Sequence, residues 1–236
     1  MGRAQEGGKP REQARRQTGV SLPKAVRDAL PAPVARAWKL IVPHLPPEMY
    51  LAGGTATALY LGHRESNDLD FFFHSNAVDL DALEQALTSV GAVVNLRSPG
   101  TLRVYIGATK IEVLHADEAR QQHQLGPTQQ MGGLAVASIE DLMAMKLKVL
   151  SERGELRDYY DVKDIDERGG ISVEEGLALF RERYGLDEGS VAVRQLILAL
   201  GYLEDCDEDE SLPMTKQDLA TWWRERQALV IRNLGW

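Results

Sequence analysis

At 236 residues, with 44% hydrophobic and 26% charged side chains, the chain has the composition of a soluble globular protein of one large or two small domains. This sets aside fibrous and disordered classes, and the apolar run 196–200 is far too short to span a bilayer. The net charge of −8 argues against an all-over polyanion-binding surface, but six acids between 204 and 210 supply −6 of it while residues 1–20 carry a net +3, so global charge does not decide the partner.

Residues 1–20, rich in Gly, Gln and Arg, read as a disordered basic tail, either plainly solvated or an arm for RNA phosphates. No apolar segment follows the first basic residues, so no signal peptide is expected. From Leu22 to Leu45, Val26, Leu30, Val34, Ala37, Trp38, Ile41 and Val42 recur at helical spacing, a pattern interrupted at Pro31-Ala32-Pro33 and ended by Pro46-Pro47. Met49 to Ala52 is strand-like, Gly53-Gly54-Thr55 is a glycine turn, Ala56 to Leu61 is helix-compatible, and Gly62 to Asn67 is a polar turn. Asp68-Leu69-Asp70 then runs into Phe71, Phe72 and Phe73 as a strand.

After a turn at Ser75-Asn76, Asp79 to Val90 reads as a helix with Leu80, Leu83, Leu87 and Val90 on one face. Short strands follow at 92–96, 102–106 and 110–114, the last two joined as a hairpin through Gly107-Ala108. Gln121 to Gly133 reads as a polar loop. Ser138, with Asp141 three residues on, opens a helix that runs to Gly154. Helical patterns return at 173–184, 191–203 and 216–229, with Trp222, Trp223 and Trp236 as packing residues. The single cysteine, Cys206, excludes an intrachain disulfide and fits a reducing cytoplasm. The five histidines lack metal-ligand spacing.

The stretch 51–73 carries the chemistry. Strand alternation puts Asp68 and Asp70 on one face and Leu69, Phe71 and Phe73 on the other, so two acids sit on a support anchored in a core. Adjacent carboxylates resist joint ionisation unless a cation lies between them. A glycine turn opening a helix offers free N–H groups and a positive dipole end to phosphate. A phosphate cradle followed by an acid pair points to a magnesium–nucleotide site. Ordinary solvated acids beside a glycine turn are the alternative. On the strand 110–114, Glu112 shares a face with Lys110 and Leu114 and is expected beside the acid pair. Lys146 lies in a dense apolar run, where a lysine also serves as a snorkelling side chain. Arg153, Arg157, Asp158, Asp161, Lys163 and Asp164 have the spacing of intrahelical ion pairs.

The spacing GGT, twelve residues, then DLD resembles the signature of the polymerase-β-like nucleotidyltransferase superfamily. The longer strings GGTATALYLGHRESNDLDFF and DLMAMKLKVLSERGELRDYYD are similar to the AbiEii/AbiGii toxin family within it. The resemblance implies an α/β (α+β) nucleotidyltransferase core with a small mixed sheet over 21–136 and a helical region over 137–236 completing the cleft. It implies attack of a hydroxyl on the α-phosphorus of an NTP, two Mg2+ ions held by Asp68 and Asp70, and Glu112 in place of the superfamily's usual third Asp. Glu112 is equally readable as a sheet-edge or salt-bridging acid. By the same resemblance Gly53, Gly54, Thr55, Lys146 and Arg157 contact the nucleotide, and Asp158 and Asp161 form a second cluster in which sequence does not choose the catalytic acid. The implied setting is a cytoplasmic toxin with a cognate antitoxin and no membrane partner, acting on tRNA. A protein or small-molecule acceptor, or an inactive nucleotide-binding module, are the alternatives.

Overall fold

The computed structural model describes residues 30–74, 78–116, 124–187 and 189–235. Its organising strand is β2 (Asp68–Phe73), which lies inside a seven-stranded mixed sheet of order β3-β4-β5-β2-β1-β7-β6. β1 is Tyr50–Ala52, β3 Val93–Ser98, β4 Thr101–Ile106, β5 Thr109–His115, β6 Gln129–Met131 and β7 Leu134–Val136. β2 pairs antiparallel with β1 and parallel with β5, and β1 pairs parallel with β7. The strict alternation of β2 buries Leu69, Phe71 and Phe73 and leaves Asp68, Asp70 and Phe72 partly exposed on the other face.

Eight α-helices occur among the described residues: α1 (Ala32–Ile41), α2 (Gly53–Leu61), α3 (Leu80–Ser89), α4 (Ile139–Glu152), α5 (Leu156–Arg168), α6 (Val173–Tyr184), α7 (Val191–Ala199) and α8 (Lys216–Asn233). α1 begins within the expected break at Pro31-Ala32-Pro33: Pro31 is its N-cap residue, and Pro33 stands in the first turn, where a proline gives up an N–H that has no intrahelical partner. Sequence upstream of Leu30 lies outside the described residues, as do Ser75-Asn76 and Trp236. α3 is capped by the Asp79 side chain, and α4 by Ser138, which accepts from the Asp141 N–H.

The polar loop expected over 121–133 holds a strand. Gln129–Met131 pairs with Leu134–Val136 across Gly132-Gly133, both at positive φ, and Trp38 Nε1 on α1 donates to the Gly132 carbonyl at 3.0 Å. α7 stops at Ala199, short of the expected 203, and α8 continues to Asn233.

Buried side chains form two clusters. One joins α1 and α3 to the sheet through Trp38, Leu51, Leu69, Phe71, Ile111 and Val113. The other joins α4 to α8 through Leu147, Val162, Phe180, Leu196 and Trp223. Each fully buried large apolar side chain contributes roughly 1.5–3 kcal/mol. α8 is further fastened by Trp223 Nε1, which donates to the Tyr159 carbonyl at 3.2 Å, and by Arg226, which bridges Asp166 and Glu174.

Candidate active site

A cleft of about 850 Å³ opens between the sheet face bearing Asp68 and Asp70 and the wall formed by α4, α6 and the start of α5. The parallel register of β2 and β5 sets Asp68 beside Lys110 and Asp70 beside Glu112. Lys110 Nζ lies 3.0 Å from Asp68 Oδ2 and 3.9 Å from Glu112 Oε2. Burial pushes the Asp70 pKa up to about 6; Asp68 and Glu112 add to the rise, and Lys110 and Lys146 oppose it. Burial thus leaves the Asp70 carboxylate poorly solvated at the floor of the cleft.

Glu112 faces the cleft as expected, but its Oε1 accepts from Arg103 on the neighbouring β4, with Nη2 at 2.5 Å and Nε at 3.1 Å. Two charged donors converging on that one oxygen support the salt-bridging reading of this acid.

The glycine pair is dictated by close approach. Gly53 sits at φ +70, and a Cβ there would collide with the Asp70 carboxylate. A Cβ on Gly54 would come within 2.7 Å of Arg64 Nη2 and 3.1 Å of Ser66 Oγ. α2 starts at Gly53, three residues earlier than expected, and its N-terminus has no side-chain cap. Its first turn thus brings uncapped N–H groups and a positive dipole end to the cleft beside the acids. Thr55 departs from expectation. It is buried, it is not among the residues lining the cleft, and its hydroxyl donates to the Asp68 carbonyl, where it pins α2 to β2 instead of facing a phosphate.

Lys146 crosses the boundary between the two halves. It is buried, with Nζ 2.7 Å from Asp158 Oδ1 and 2.6 Å from Asp161 Oδ2. Burial alone would lower its pKa, but Asp161 and Asp158 outweigh burial and raise it. Of its three donors, two are thus engaged. Asp158 lines the cleft, and its side chain also accepts from the Glu155 N–H as part of the α5 capping box.

Asp161 does not line the cleft; it is fully buried behind Lys146. Arg64 grips it through Nε at 2.6 Å and Nη2 at 2.8 Å, and His63 Nε2 lies 2.7 Å from Oδ1. Burial would raise its pKa, but Lys146, His63 and Arg64 hold the carboxylate far below the usual range. Of the pair left open by sequence, Asp158 faces the cleft and Asp161 holds the cations behind it. Arg157 is half-exposed on the rim and pairs with Glu155 at 2.5 Å.

The sequence profile described as nucleotidyl transferase AbiEii toxin, type IV TA system, matches residues 38–227, which includes every element of this cleft. The chain belongs to the AbiEii family. It is a nucleotidyltransferase, from a family of toxins of type IV toxin–antitoxin systems. An uncharacterized protein of Aquifex aeolicus (strain VF5), aq_aa25, is 28% identical over 190 residues, 79% of this chain and 86% of that one. The crystal structure of JHP933 from Helicobacter pylori superposes with a TM-score of 0.53 at 20% identity, covering 91% of this chain and 95% of that one. A second H. pylori structure gives 0.51 at 20% identity, covering 91% and 98%. These two likenesses establish a shared fold.

Sequence reasoning gave no site role to five side chains of this AbiEii site. His63 and Arg64 were legible only as part of a polar turn, although they lie between the two halves of the motif. Lys110 and Arg103 are set by strand register, which only the pairing of β2, β5 and β4 supplies. Asp209 of the acidic stretch also reaches the rim; Ser211 hydrogen-bonds it and keeps its pKa low, with Arg157 and Arg64 adding to the effect. Among the described residues no three His, Cys, Asp or Glu side chains converge as metal ligands. The donor set is a pair, Asp68 and Asp70, which suits magnesium, an ion that takes one or two carboxylates and fills its shell with phosphate oxygens and water. No helix of the described residues is long and apolar enough to cross a membrane.

Proposed function

We propose that this AbiEii protein transfers a nucleoside monophosphate from a magnesium–NTP complex to a hydroxyl on tRNA, and that this transfer makes it the toxin of a toxin–antitoxin pair with its own antitoxin. The observation that carries the reading is Asp70, a cleft acid whose pKa is pushed up to about 6 beside Asp68 and the uncapped start of α2. A cation bound between Asp68 and Asp70 would stabilise the ionised form that burial disfavours.

In this reading residues 21–136 are the catalytic core and 137–236 the part that closes the cleft. Asp68 and Asp70 would hold the magnesium, while Glu112 keeps its Oε1 on Arg103. Bound magnesium supplies charge neutralisation on the phosphates and a lowered pKa for the attacking hydroxyl. Gly53 and Gly54 present the α2 N–H groups to the phosphates, and the remaining N–H of Lys146 adds charge there. Arg157 stands on the rim for the same polyanion. Asp158 and Asp161 keep Lys146 charged and in place. The hydroxyl oxygen bonds to the α-phosphorus as the bond to pyrophosphate breaks, and the hydroxyl proton leaves to a base or water.

The test is transfer of α-labelled nucleotide to total tRNA by the wild type and by Asp68→Ala/Asp70→Ala. Label in tRNA with the wild type alone supports the reading. Magnesium-dependent NTP binding without labelled RNA rejects tRNA and directs the search to protein or small-molecule hydroxyls. Equal labelling by the double variant rejects the acid pair as the site.

A further inference from the structure

The cleft extends beyond what acids and phosphates need. Along the parallel strands the charged residues give way, in register, to Phe72 on β2 beside Leu114 on β5. The facing wall changes in the same way. α4 sets Met145 and Val149 on either side of Lys146, and α6 ends on Tyr184, whose ring is only partly buried.

Tyr184 carries a polar edge. Lys148 Nζ lies over its ring, 5.8 Å from the centroid, and donates to Glu152 Oε1 at 2.6 Å. Tyr184, Lys148 and Glu152 all line the cleft. An aromatic face bordered by one donor and one acceptor suits a flat heteroaromatic ring with both donors and acceptors on its rim. An aliphatic ligand would use the apolar surface and leave the Lys148–Glu152 pair idle. A ring settling on Tyr184 would take the loose place of Lys148 over the π face and receive its N–H at the edge.

We infer that this apolar arm is the subsite for the nucleobase of the donor NTP, with Tyr184 as stacking platform and Lys148 and Glu152 as edge readers. The inference rests on the nucleotide-transfer reading above. It divides the ligand between two regions: the triphosphate at the acids and the α2 N-terminus, the base at Tyr184.

The experiment measures the affinity of the full chain, with magnesium, for each common NTP and for inorganic tripolyphosphate. The variants are Tyr184→Leu, which keeps apolar bulk without a π face, Tyr184→Phe, which keeps the ring, and Lys148→Met and Glu152→Gln on the rim. Tyr184→Leu is expected to weaken the preferred NTP by about fivefold or more, Tyr184→Phe to restore it, and tripolyphosphate to bind all variants alike. The rim variants are expected to change the ranking among NTPs. If Tyr184→Leu fails to fold, as its melting curve would show, the rim variants decide alone, and an unchanged ranking overturns the inference. Unchanged NTP affinity in a folded Tyr184→Leu, with a raised KM for the acceptor, assigns the arm to the acceptor and overturns it too. Failure of the wild type to bind either ligand rejects the nucleotide reading itself, and the base subsite with it.

Discussion

Replacing Asp70 by Asn should stabilise the metal-free protein while abolishing transfer. The Asp70 pKa rises from 3.8 to about 6 on folding. Below the lower value the carboxyl is protonated in both folded and unfolded chains and costs nothing. As pH rises the unfolded chain ionises first, and the folded state falls behind until its own carboxyl ionises near pH 6. The loss is complete above that pH and amounts to at most about 3 kcal/mol, since each tenfold step is worth 1.36 kcal/mol. Asp70→Asn removes this term and keeps the shape, so at pH 8 with a chelator it should exceed the wild type by about 1–3 kcal/mol, and at pH 4 by little. Urea unfolding of both proteins from pH 4 to 8 measures the difference. Millimolar magnesium at pH 8 should narrow the gap by stabilising the wild type alone. A variant less stable than the wild type at pH 8 in chelator, or a gap that ignores pH, would refute the argument that Asp70 is held against its own ionisation.

Three other outcomes follow from the same geometry. Gly53→Ala forces a Cβ into the Asp70 carboxylate at a left-handed φ, and should cost about 1–3 kcal/mol in urea unfolding together with the transfer activity. Asp161→Ala leaves Arg64 and Lys146 buried without their shared partner and should cost about 3–5 kcal/mol; because its folded pKa is depressed, the wild type should also lose stability as pH falls below the usual carboxylate range. Glu174, whose pKa is lowered to about 2 chiefly by its hydrogen bond from Arg226, should lend α8 about 1–2 kcal/mol above pH 4.5, lost as the pH drops towards 2. Arg226→Gln should erase that acid-sensitive component in a pH series of thermal melts.

The elements that sequence revealed best are those whose pattern is local. Alternation placed Asp68 and Asp70 opposite Leu69 and Phe71, and the Ser138/Asp141 cap marked the start of α4 to the residue. β6 and β7 escaped because three residues on each side of a glycine pair, Gln-Gln-Met and Leu-Ala-Val, are too short to show a period; a parallel neighbour, β1, makes β7 a strand. The same limit applies at the site. That Thr55 turns inward to the Asp68 carbonyl, or that Arg103 reaches Glu112, depends on partners that are distant in sequence or set by register. Asp158 and Asp161, three residues apart on one helix, differ in role because Arg64, 97 residues upstream of Asp161, arrives at only one of them.

The order in which the cleft's parts leave the ribosome has a consequence for a cell that makes this protein. Asp68 and Asp70 are synthesised early, yet β1 lacks its second neighbour until β7 has emerged, and Lys146 lacks its acids until α5 has followed. A nascent or truncated chain ending before residue 161 therefore carries the acid pair without the groups that organise the opposite wall. Catalytic competence should switch on abruptly, late in translation, so interrupted synthesis would release inert fragments and not partially active ones.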